Sequence, residues 1–309
     1  MNYGLRLVTK YLLGLDRANR NFVVYPDDTF VISYPRSGST WTRFLLANLV
    51  WPDKSVSFAN LDQLVPATSS VSNRALNRIS RPRIIKCHNY FDHRYQNVIY
   101  IVRDPRDVVL SEYRYSLKVR MIPDGYPMES FVSRFIKGEV NEYSSWKESV
   151  GTWLAARGDR DSFLLLRYED MVEHTTRELA KIARFLNIDA SPERLSQAAE
   201  RSSADNMRAL EKKEGDSWIV TKGKRKDIPF VGKAKAGVWR SSLTKAGVWQ
   251  IENAWGPLMT TLGYELTCDA APHKGSKRIY EMTVARPVGG ASDDPARTRA
   301  TAFELKKDF

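Results

Sequence analysis

Residues 30–50, FVISYPRSGSTWTRFLLANLV, pass from an apolar run through a loop of small and hydroxylated residues into a second apolar run. The β-branched residues of the first run predict a buried strand at 29–34, and the spacing of the second predicts a helix at 40–51. The loop between them contains Arg36 and Gly38. Because a helix N-terminus offers unpaired N–H groups and a partial positive charge, the segment indicates an anion site, with a simple tight turn as the alternative.

This loop differs from the nucleotide-binding motif G-x-x-x-x-G-K-[ST]. Gly38 is followed by Ser39 and Thr40 rather than by Lys and Ser or Thr. That difference argues against an enzyme that uses ATP with Mg²⁺, although a divergent nucleotide-dependent phosphotransferase stays an alternative. Gly38 still lets the backbone approach an anion closely, and the hydroxyl groups beside it can donate hydrogen bonds to that anion.

The chain of 309 residues carries an excess of positive charge, since 48 Lys and Arg residues against 36 Asp and Glu residues give a formal net charge of +12. The excess predicts an anionic partner, but does not separate a nucleotide from a polyanionic glycan, a nucleic acid or an acidic membrane. A non-catalytic module that binds polyanions or membranes is therefore a second alternative. The two cysteines, Cys87 and Cys268, match no metal-ligand spacing, and we expect no metal site.

Strands alternate with helices along the chain. Further strands are predicted at 83–88, 97–103 and 162–168. Helices are predicted at 104–119, 128–138, 144–157, 174–188, 191–202 and 244–264, and a basic loop at 212–237. This order predicts an α/β fold, a single domain with a central parallel β-sheet flanked by helices. We place that domain at 28–265, between an N-terminal helical lead-in at 1–27 and a flexible or surface-wrapped tail at 266–309.

Cationic side chains lie at the ends of three predicted strands. Lys86 and His88 are two residues apart and therefore share one face of their strand. Arg103 ends the next strand, and Ser111 lies on the helix that follows. Ligands of open α/β sheets bind beyond the carboxyl ends of the strands, so we expect these side chains to converge with Arg36 on one anion.

Four motifs in this order resemble those of the PAPS-dependent sulfotransferase family, where PAPS is 3′-phosphoadenosine 5′-phosphosulfate. They are YPRSGSTW at 34–41, KCH at 86–88, RDPRDVVLSEY at 103–113 and LRYEDM at 166–171. The resemblance runs through residues 28–263. It implies a P-loop NTPase-like sulfotransferase fold, and transfer of a sulfuryl group from PAPS to a hydroxyl or amine acceptor with PAP as product.

The resemblance further implies the catalytic residues. His88 would be the general base for the acceptor, and Lys86 and Arg36 would stabilise the charge on the transferring group. Position 36 is Arg where cytosolic members of the family usually have Lys. Arg keeps the charge but does not readily give up a proton, so Arg36 is expected to act as a permanent cation.

The donor site is implied in the same way. The loop at 37–40 would hold the 5′-phosphosulfate, Arg103 and Ser111 would bind the 3′-phosphate, and Trp41 would stack on the adenine. The full set of cofactor-binding residues is Arg36, Ser37, Gly38, Ser39, Thr40, Trp41, Arg103, Ser111, Tyr168, Ser203 and Lys233.

The family's C-terminal motif R-K-G-x-x-G-D-W appears here as GKAKAGVW at 232–239. Lys233, Gly237 and Trp239 match the motif, whereas its Arg, first Gly and Asp are replaced. One arm of the 3′-phosphate clamp is therefore missing or is supplied by another cation, with Lys235 and the run KGKRK at 222–226 as candidates. The family's dimerisation segment is not recognisable after this motif, so the oligomeric state stays open.

The acceptor is the least determined partner. Small-molecule, lipid-linked and glycan hydroxyl acceptors fit the aromatic and basic composition about equally, and we expect no nucleic-acid partner. Without a signal-peptide core or a run of 18 apolar residues, the chain is expected to be cytoplasmic. The N-terminal residues Leu5, Val8, Leu12 and Leu15 fit one face of a helix docked on its own domain, with peripheral membrane contact as the alternative.

Overall fold

The computed structural model describes residues 22–214, 220–232 and 234–267, together with residues 13, 18 and 218. The predicted apolar face of the N-terminal helix, formed by Leu5, Val8, Leu12 and Leu15, lies outside these ranges. Lys233, Cys268 and nearly all of the predicted tail at 266–309 lie outside them as well. The predictions for those segments therefore stay predictions.

A four-stranded parallel sheet forms the centre of the described structure. Its strands are β1 (Thr29–Ser33), β2 (Ile84–Cys87), β3 (Asn97–Val102) and β4 (Phe163–Arg167), in the spatial order β2-β1-β3-β4. The pairing of β1 is parallel on both sides, with Phe30 opposite Ile85 of β2 and Val98 of β3. The prediction of an α/β domain with a central parallel sheet is confirmed, and the three strands with cationic ends are neighbours in the sheet.

Helices flank this sheet. They are α1 (Ser39–Val50), α2 (Leu61–Leu64), α3 (Asn73–Leu76), α4 (Pro105–Lys118), α5 (Met128–Ile136), α6 (Trp146–Arg157), α7 (Tyr168–Glu173), α8 (Thr175–Phe185), α9 (Pro192–Arg201), α10 (Ala204–Glu214), α11 (Trp239–Ser242) and α12 (Lys245–Thr261). Among the residues that the structure describes, no helix is long and apolar enough to cross a membrane.

Two predicted boundaries are wrong. The strand predicted at 162–168 ends at Arg167, because Tyr168 starts α7, whose first turn carries two acidic side chains that suit a helix N-terminus. The loop predicted at 212–237 begins later, because α10 continues to Glu214 through a run of strong helix formers. Only Met207 of α10 is buried, so the apolar periodicity that predicts most helices is weak there.

The sheet is buried on both faces because its strands alternate between two apolar cores. Along β3, Tyr100 belongs to the core covered by α4, α5, α6 and α12, whereas Ile99 and Ile101 belong to the core under α1, α8 and α9. Burial of both faces is the usual state of a parallel sheet. The edge formed by the carboxyl ends of the strands is therefore where loops open a cavity.

Ion pairs fix the opposite, amino-terminal edge of the sheet. Both side chains of the Arg83–Asp28 pair are wholly buried, with Nη2 and Oδ2 2.5 Å apart and Nε and Oδ1 2.8 Å apart. Asp28 Oδ2 also accepts a hydrogen bond from the Tyr25 N–H. The nearby Arg81–Asp27 pair is partly exposed, with 46% and 27% of the two side chains accessible.

Asp28→Ala should lower the free energy of unfolding by about 3–5 kcal/mol, because it leaves the Arg83 guanidinium buried without its partner. Asp27→Ala is the matched control, since it removes an exposed pair whose contribution is about 1 kcal/mol or less. Urea denaturation of both variants measures the difference. Equal losses would contradict the importance assigned to the buried pair.

Candidate active site

A cavity of about 1170 Å³ lies beyond the carboxyl ends of β1, β2 and β3. Arg36 follows β1, Lys86 belongs to β2 and Arg103 follows β3, so the structure brings together the three cations expected to converge. The predicted residues that line the cavity are Arg36, Gly38, Ser39, Thr40, Trp41, Lys86, His88, Arg103, Ser111, Tyr168 and Ser203. Ser37 is buried directly beneath the loop, and Lys233 lies outside the described residues.

The loop between β1 and α1 turns through two left-handed residues, Arg36 with φ 65° and Gly38 with φ 99°. Gly38 is required on two grounds. Its positive φ suits glycine, and a Cβ atom there would lie 2.5 Å from Cδ2 of Tyr168. The close approach of Tyr168 fixes the loop against the start of α7.

The N-terminus of α1 is open to a ligand. No side chain caps it and its first turn contains no acidic residue, whereas Asp104 caps α4 and Ser145 with Glu148 caps α6. The Ser37 hydroxyl is buried beside this helix end without a hydrogen-bond partner among the described residues. Since buried polar atoms normally have partners, the loop has the donors and the space that a phosphate or sulfonate group needs.

Arg103 is held at the same edge by several contacts. Its Nη1 donates to the Arg36 carbonyl oxygen at 3.1 Å, and its guanidinium carbon lies 4.2 Å from the centre of the Tyr168 ring. Its Nε is buried and has no hydrogen-bond partner in the described structure. Asp107 Oδ2 is 4.0 Å away, so the nearest carboxylate balances the Arg103 charge only weakly.

Arg36 extends from the loop toward α4. Its Nε lies 3.3 Å from the Ser111 hydroxyl, and its guanidinium carbon lies 4.7 and 4.9 Å from the centres of the Tyr115 and Phe230 rings, which meet each other edge to face. Burial lowers the pKa of Arg36, while the nearby carboxylate of Glu112 opposes that effect. The arrangement places the Arg36 charge beside Ser111 rather than leaving it in solvent.

Asp107 connects this cation cluster to the segment with the altered C-terminal motif. Its two carboxylate oxygens accept hydrogen bonds from the Gly237 N–H at 2.7 Å and the Trp239 N–H at 2.9 Å. The segment therefore folds back over Arg103, whose Nη2 lies 3.5 Å from the Lys235 carbonyl oxygen. Lys235 and Lys224 line the cavity, whereas Arg225 is engaged by Asp124 and Asp227.

Aromatic side chains form a side wall of the cavity. The Trp41 ring meets the Tyr168 ring edge to face at 5.8 Å, and the Trp41 indole N–H donates to the Ser202 carbonyl oxygen at 3.0 Å. Ser203 follows directly, at the start of α10. Trp41, Tyr168 and Ser203, three of the predicted cofactor-binding residues, therefore line the same cavity.

His88 is arranged to accept a proton. Its Nδ1 lies 2.7 Å from the Ser33 carbonyl oxygen. A carbonyl oxygen only accepts, so Nδ1 carries the hydrogen and Nε2 of the neutral ring keeps a free lone pair. Burial lowers the pKa of His88 well below 6.5, and the neighbouring Lys86 charge adds to this effect. The ring therefore stays neutral through the physiological range.

Lys86 lies between other cations. Burial, with the Arg43 charge as the second cause, lowers the pKa of Lys86 to about 7. Arg43 is held in place by Asp62 at 2.5 Å and by the Val65 carbonyl oxygen at 2.7 Å. Our sequence reasoning missed Arg43, although its position four residues after Ser39 puts it on the same face of α1.

The loop from 220 to 232 is fixed over the cavity by α10, a contact that the sequence does not reveal. The Glu211 carboxylate accepts hydrogen bonds from the Phe230 N–H at 2.6 Å and the Val231 N–H at 2.8 Å. The Lys118 ammonium donates to the Arg225 and Ile228 carbonyl oxygens. These bonds hold the Phe230 ring against Arg36.

Comparison with known proteins points in one direction. A family model described as "Sulfotransferase domain" matches residues 26–263. Sulfotransferase 1E1 from Bos taurus is 30% identical over 241 residues, which cover 73% of this chain and 81% of the relative. Sulfotransferase 1A1 from Mus musculus is 28% identical over 281 residues, covering 86% and 95% of the two chains.

Solved structures share the fold. Mouse sulfotransferase SULT7A1 complexed with PAP superposes with a TM-score of 0.62 at 25% identity, covering 77% of this chain and 86% of that one. Retinol dehydratase in a complex with retinol and PAP superposes with a TM-score of 0.65 at 20% identity, covering 81% and 85%. The latter likeness concerns the fold alone.

Gly38→Ala should lower the free energy of unfolding by about 2–4 kcal/mol, because the new Cβ combines an unfavourable φ with overlap against Tyr168. Gly151→Ala is the matched control. It lies within α6 with nothing near its added Cβ, and it should be neutral or stabilising by up to about 1 kcal/mol. Chemical denaturation measures both variants, and Tyr168→Ala should restore part of the loss. A Gly38 variant as stable as the Gly151 variant would show that the loop is not constrained as described.

Proposed function

Since the chain belongs to the sulfotransferase family, we propose that it transfers the sulfuryl group of PAPS to a hydroxyl or amine acceptor at this cavity. The observation that carries the proposal is the grouping of a neutral His88, a buried Lys86 and two arginines around one uncapped helix N-terminus. PAPS carries anionic groups at both ends of its ribose. The cationic edge of the sheet offers a partner to each of them.

The unpartnered polar atoms of the cavity support this choice of donor. The Ser37 hydroxyl and the amide groups at the start of α1 would hold the 5′-phosphosulfate, close to the backbone at Gly38. Arg103, with its unpartnered Nε, and Ser111 would bind the 3′-phosphate. Mouse sulfotransferase SULT7A1 and retinol dehydratase have each been solved in complex with PAP.

The C-terminal segment that would complete the 3′-phosphate site differs from the family motif. We propose that other cations of this chain supply the missing positive charge. Lys235 and Lys224 both line the cavity. Lys235 is attached to Arg103 through its own carbonyl oxygen. The altered GKAKAGVW segment is therefore proposed to retain its place over the donor with a different set of charges.

The reaction follows from the order of these groups. The acceptor oxygen forms a bond to sulfur as the bond between sulfur and the donor's phosphate oxygen breaks, by analogy with in-line phosphoryl transfer. His88 Nε2 accepts the proton that the acceptor hydroxyl loses. Lys86 and Arg36 offset the charge that develops on the transferring group and on the phosphate that leaves. Lys86 has to be protonated for this role, and a bound anionic group beside it would raise its pKa from about 7.

We propose a small-molecule hydroxyl compound as the acceptor. Retinol dehydratase, a structural relative, has been solved in complexes with retinol and with androsterone. In this chain Tyr143, which meets the His88 ring, lines the cavity together with Tyr113 and Met128, and this lining suits an acceptor with an apolar or aromatic body. Lipid-linked and glycan hydroxyls are the other acceptor classes to be included in a screen.

The function is tested by transfer of labelled sulfuryl groups from PAPS to a panel of phenols, alcohols, lipid-linked and glycan acceptors. We expect turnover with at least one class, and His88→Ala should lower kcat by roughly 10²- to 10⁴-fold while leaving PAP affinity nearly unchanged. The control is His93→Ala, since His93 is exposed and lies outside the cavity lining. Near-normal transfer by the His88 variant would remove His88 from the mechanism.

Arg103→Ala should weaken the binding of PAP by roughly 10- to 100-fold, because charge-assisted hydrogen bonds to the 3′-phosphate are lost. Affinity for AMP, which lacks that phosphate, should change much less. Calorimetry on both nucleotides gives the comparison, and the exposed Arg78→Ala serves as the control. Equal losses for PAP and AMP would separate Arg103 from the 3′-phosphate.

A further inference from the structure

Glu112 is a buried carboxylate in the wall of the cavity. It follows Ser111 on α4 and is 3% exposed. One oxygen, Oε1, accepts a hydrogen bond from Asn141 Nδ2 at 3.4 Å, and the other, Oε2, is buried without a hydrogen-bond partner among the described residues. An acceptor atom left unsatisfied in a protein interior costs free energy, so a group that satisfies it is expected to bind there.

Among the residues that the structure describes, other buried carboxylates have both oxygens satisfied. Asp28 is bonded through both oxygens to Arg83, Glu178 to Arg177 and Lys181, and Asp107 to two backbone N–H groups. Each of these has a structural role that accounts for its burial. Glu112 differs because one oxygen has no protein partner and its side chain borders the cavity.

The hydrogen bonds around Glu112 lead to the His88 side of the cavity. Asn141, which donates to Glu112, also donates to the Tyr34 hydroxyl at 3.0 Å and accepts from the Tyr143 N–H at 2.8 Å. The Tyr143 ring meets the His88 ring edge to face at 5.3 Å. A molecule that presents its hydroxyl to His88 is therefore flanked by the segment that holds Glu112.

Three carboxylates are found among the described residues that line the cavity. They are Asp107, Glu112 and Glu142. Asp107 is committed to the backbone of 237–239, and Glu142 is exposed beside Tyr143. Burial raises the pKa of Glu112, and the nearby Arg36 charge and the Asn141 hydrogen bond oppose that effect. Glu112 thus brings to the cavity wall a buried carboxylate oxygen that has no protein partner among the described residues.

We propose that Glu112 recognises the acceptor by taking a hydrogen bond from a second donor group on it, a hydroxyl or an ammonium. The inference rests on the proposed function, and it names the acceptor class: compounds that carry a hydroxyl for sulfuryl transfer and a second hydroxyl or amine. Compounds with a single hydroxyl leave Oε2 unsatisfied and bind more weakly.

The test uses three phenols that differ in one group: 4-ethylphenol, 4-(2-hydroxyethyl)phenol and tyramine. Their affinities for the PAP complex of the full chain are measured by calorimetry. The wild-type protein should bind the hydroxyl or the ammonium compound about tenfold or more tightly than 4-ethylphenol, since a hydrogen bond to a charged group is gained. The two polar compounds distinguish a hydroxyl ligand from an ammonium ligand.

Variants test whether the Glu112 side chain causes the preference for the polar phenols over 4-ethylphenol. Glu112→Met should abolish it for both polar phenols, and Glu112→Gln should abolish a preference for the ammonium while keeping part of a preference for the hydroxyl. Glu139→Gln is the matched control, because Glu139 is exposed and outside the cavity lining. Unchanged PAP affinity in each variant shows that the site remains folded. If the role of Glu112 were merely structural, its substitution would weaken the binding of all three phenols equally.

Three results would overturn the proposal: no preference in the wild-type protein, a preference that survives Glu112→Met, and a preference that Glu142→Gln removes but Glu112→Gln does not. Turnover of the phenols with PAPS is read separately. Transfer to all three phenols at equal rates and with equal affinities would contradict the role of Glu112 but would support the sulfotransferase activity. Selective binding of the polar phenols without sulfuryl transfer would support the role of Glu112 and contradict the sulfotransferase activity.

Discussion

Repulsion between like charges is the constraint on which the cavity depends. Parallel pairing of β1 with β2 and β3 forces the Arg36, Lys86 and Arg103 side chains to one edge of the sheet, and Arg43 lies close to Lys86. Burial, with the neighbouring cations adding to it, lowers the pKa values of Lys86 and His88, so the charged form of each group carries an electrostatic cost. An anionic ligand removes that cost, so the binding of a polyanionic donor and the stability of the folded site are coupled.

One short segment coordinates much of the surrounding structure. In the sequence RDPRD at 103–107, Arg103 faces the cavity, Asp104 caps α4 and holds Arg106, and Asp107 binds the backbone at 237–239. Arg106 is itself buried between Asp104 and Glu252 of α12, over the Trp239 ring. The same turn therefore positions the donor-binding arginine and fastens the C-terminal part of the domain to it.

The loop that precedes the altered motif is fixed by contacts from α10 and α4. Glu211 and Lys118 hold the backbone of the loop at 225–231, which sets Phe230 beside Arg36. The Tyr115 and Phe230 rings meet edge to face, and the Arg36 guanidinium carbon lies 4.7 and 4.9 Å from their centres. Arg at position 36 therefore combines a permanent positive charge with cation–π contacts to two aromatic rings.

Local sequence patterns determined the parallel α/β architecture, the helix N-terminus after β1 and the grouping of Arg36, Lys86, His88 and Arg103. These features follow from periodicities of two and 3.6 residues and from the rule that strand ends share one edge. Helices α7 and α10 were missed altogether, because apolar spacing carries little information in short or largely exposed helices. Only the tertiary structure decided the partners of Asp107, Glu112 and Glu211. Those contacts join residues 19 to 132 positions apart, and whether a buried carboxylate finds a partner depends on long-range packing that no local pattern encodes.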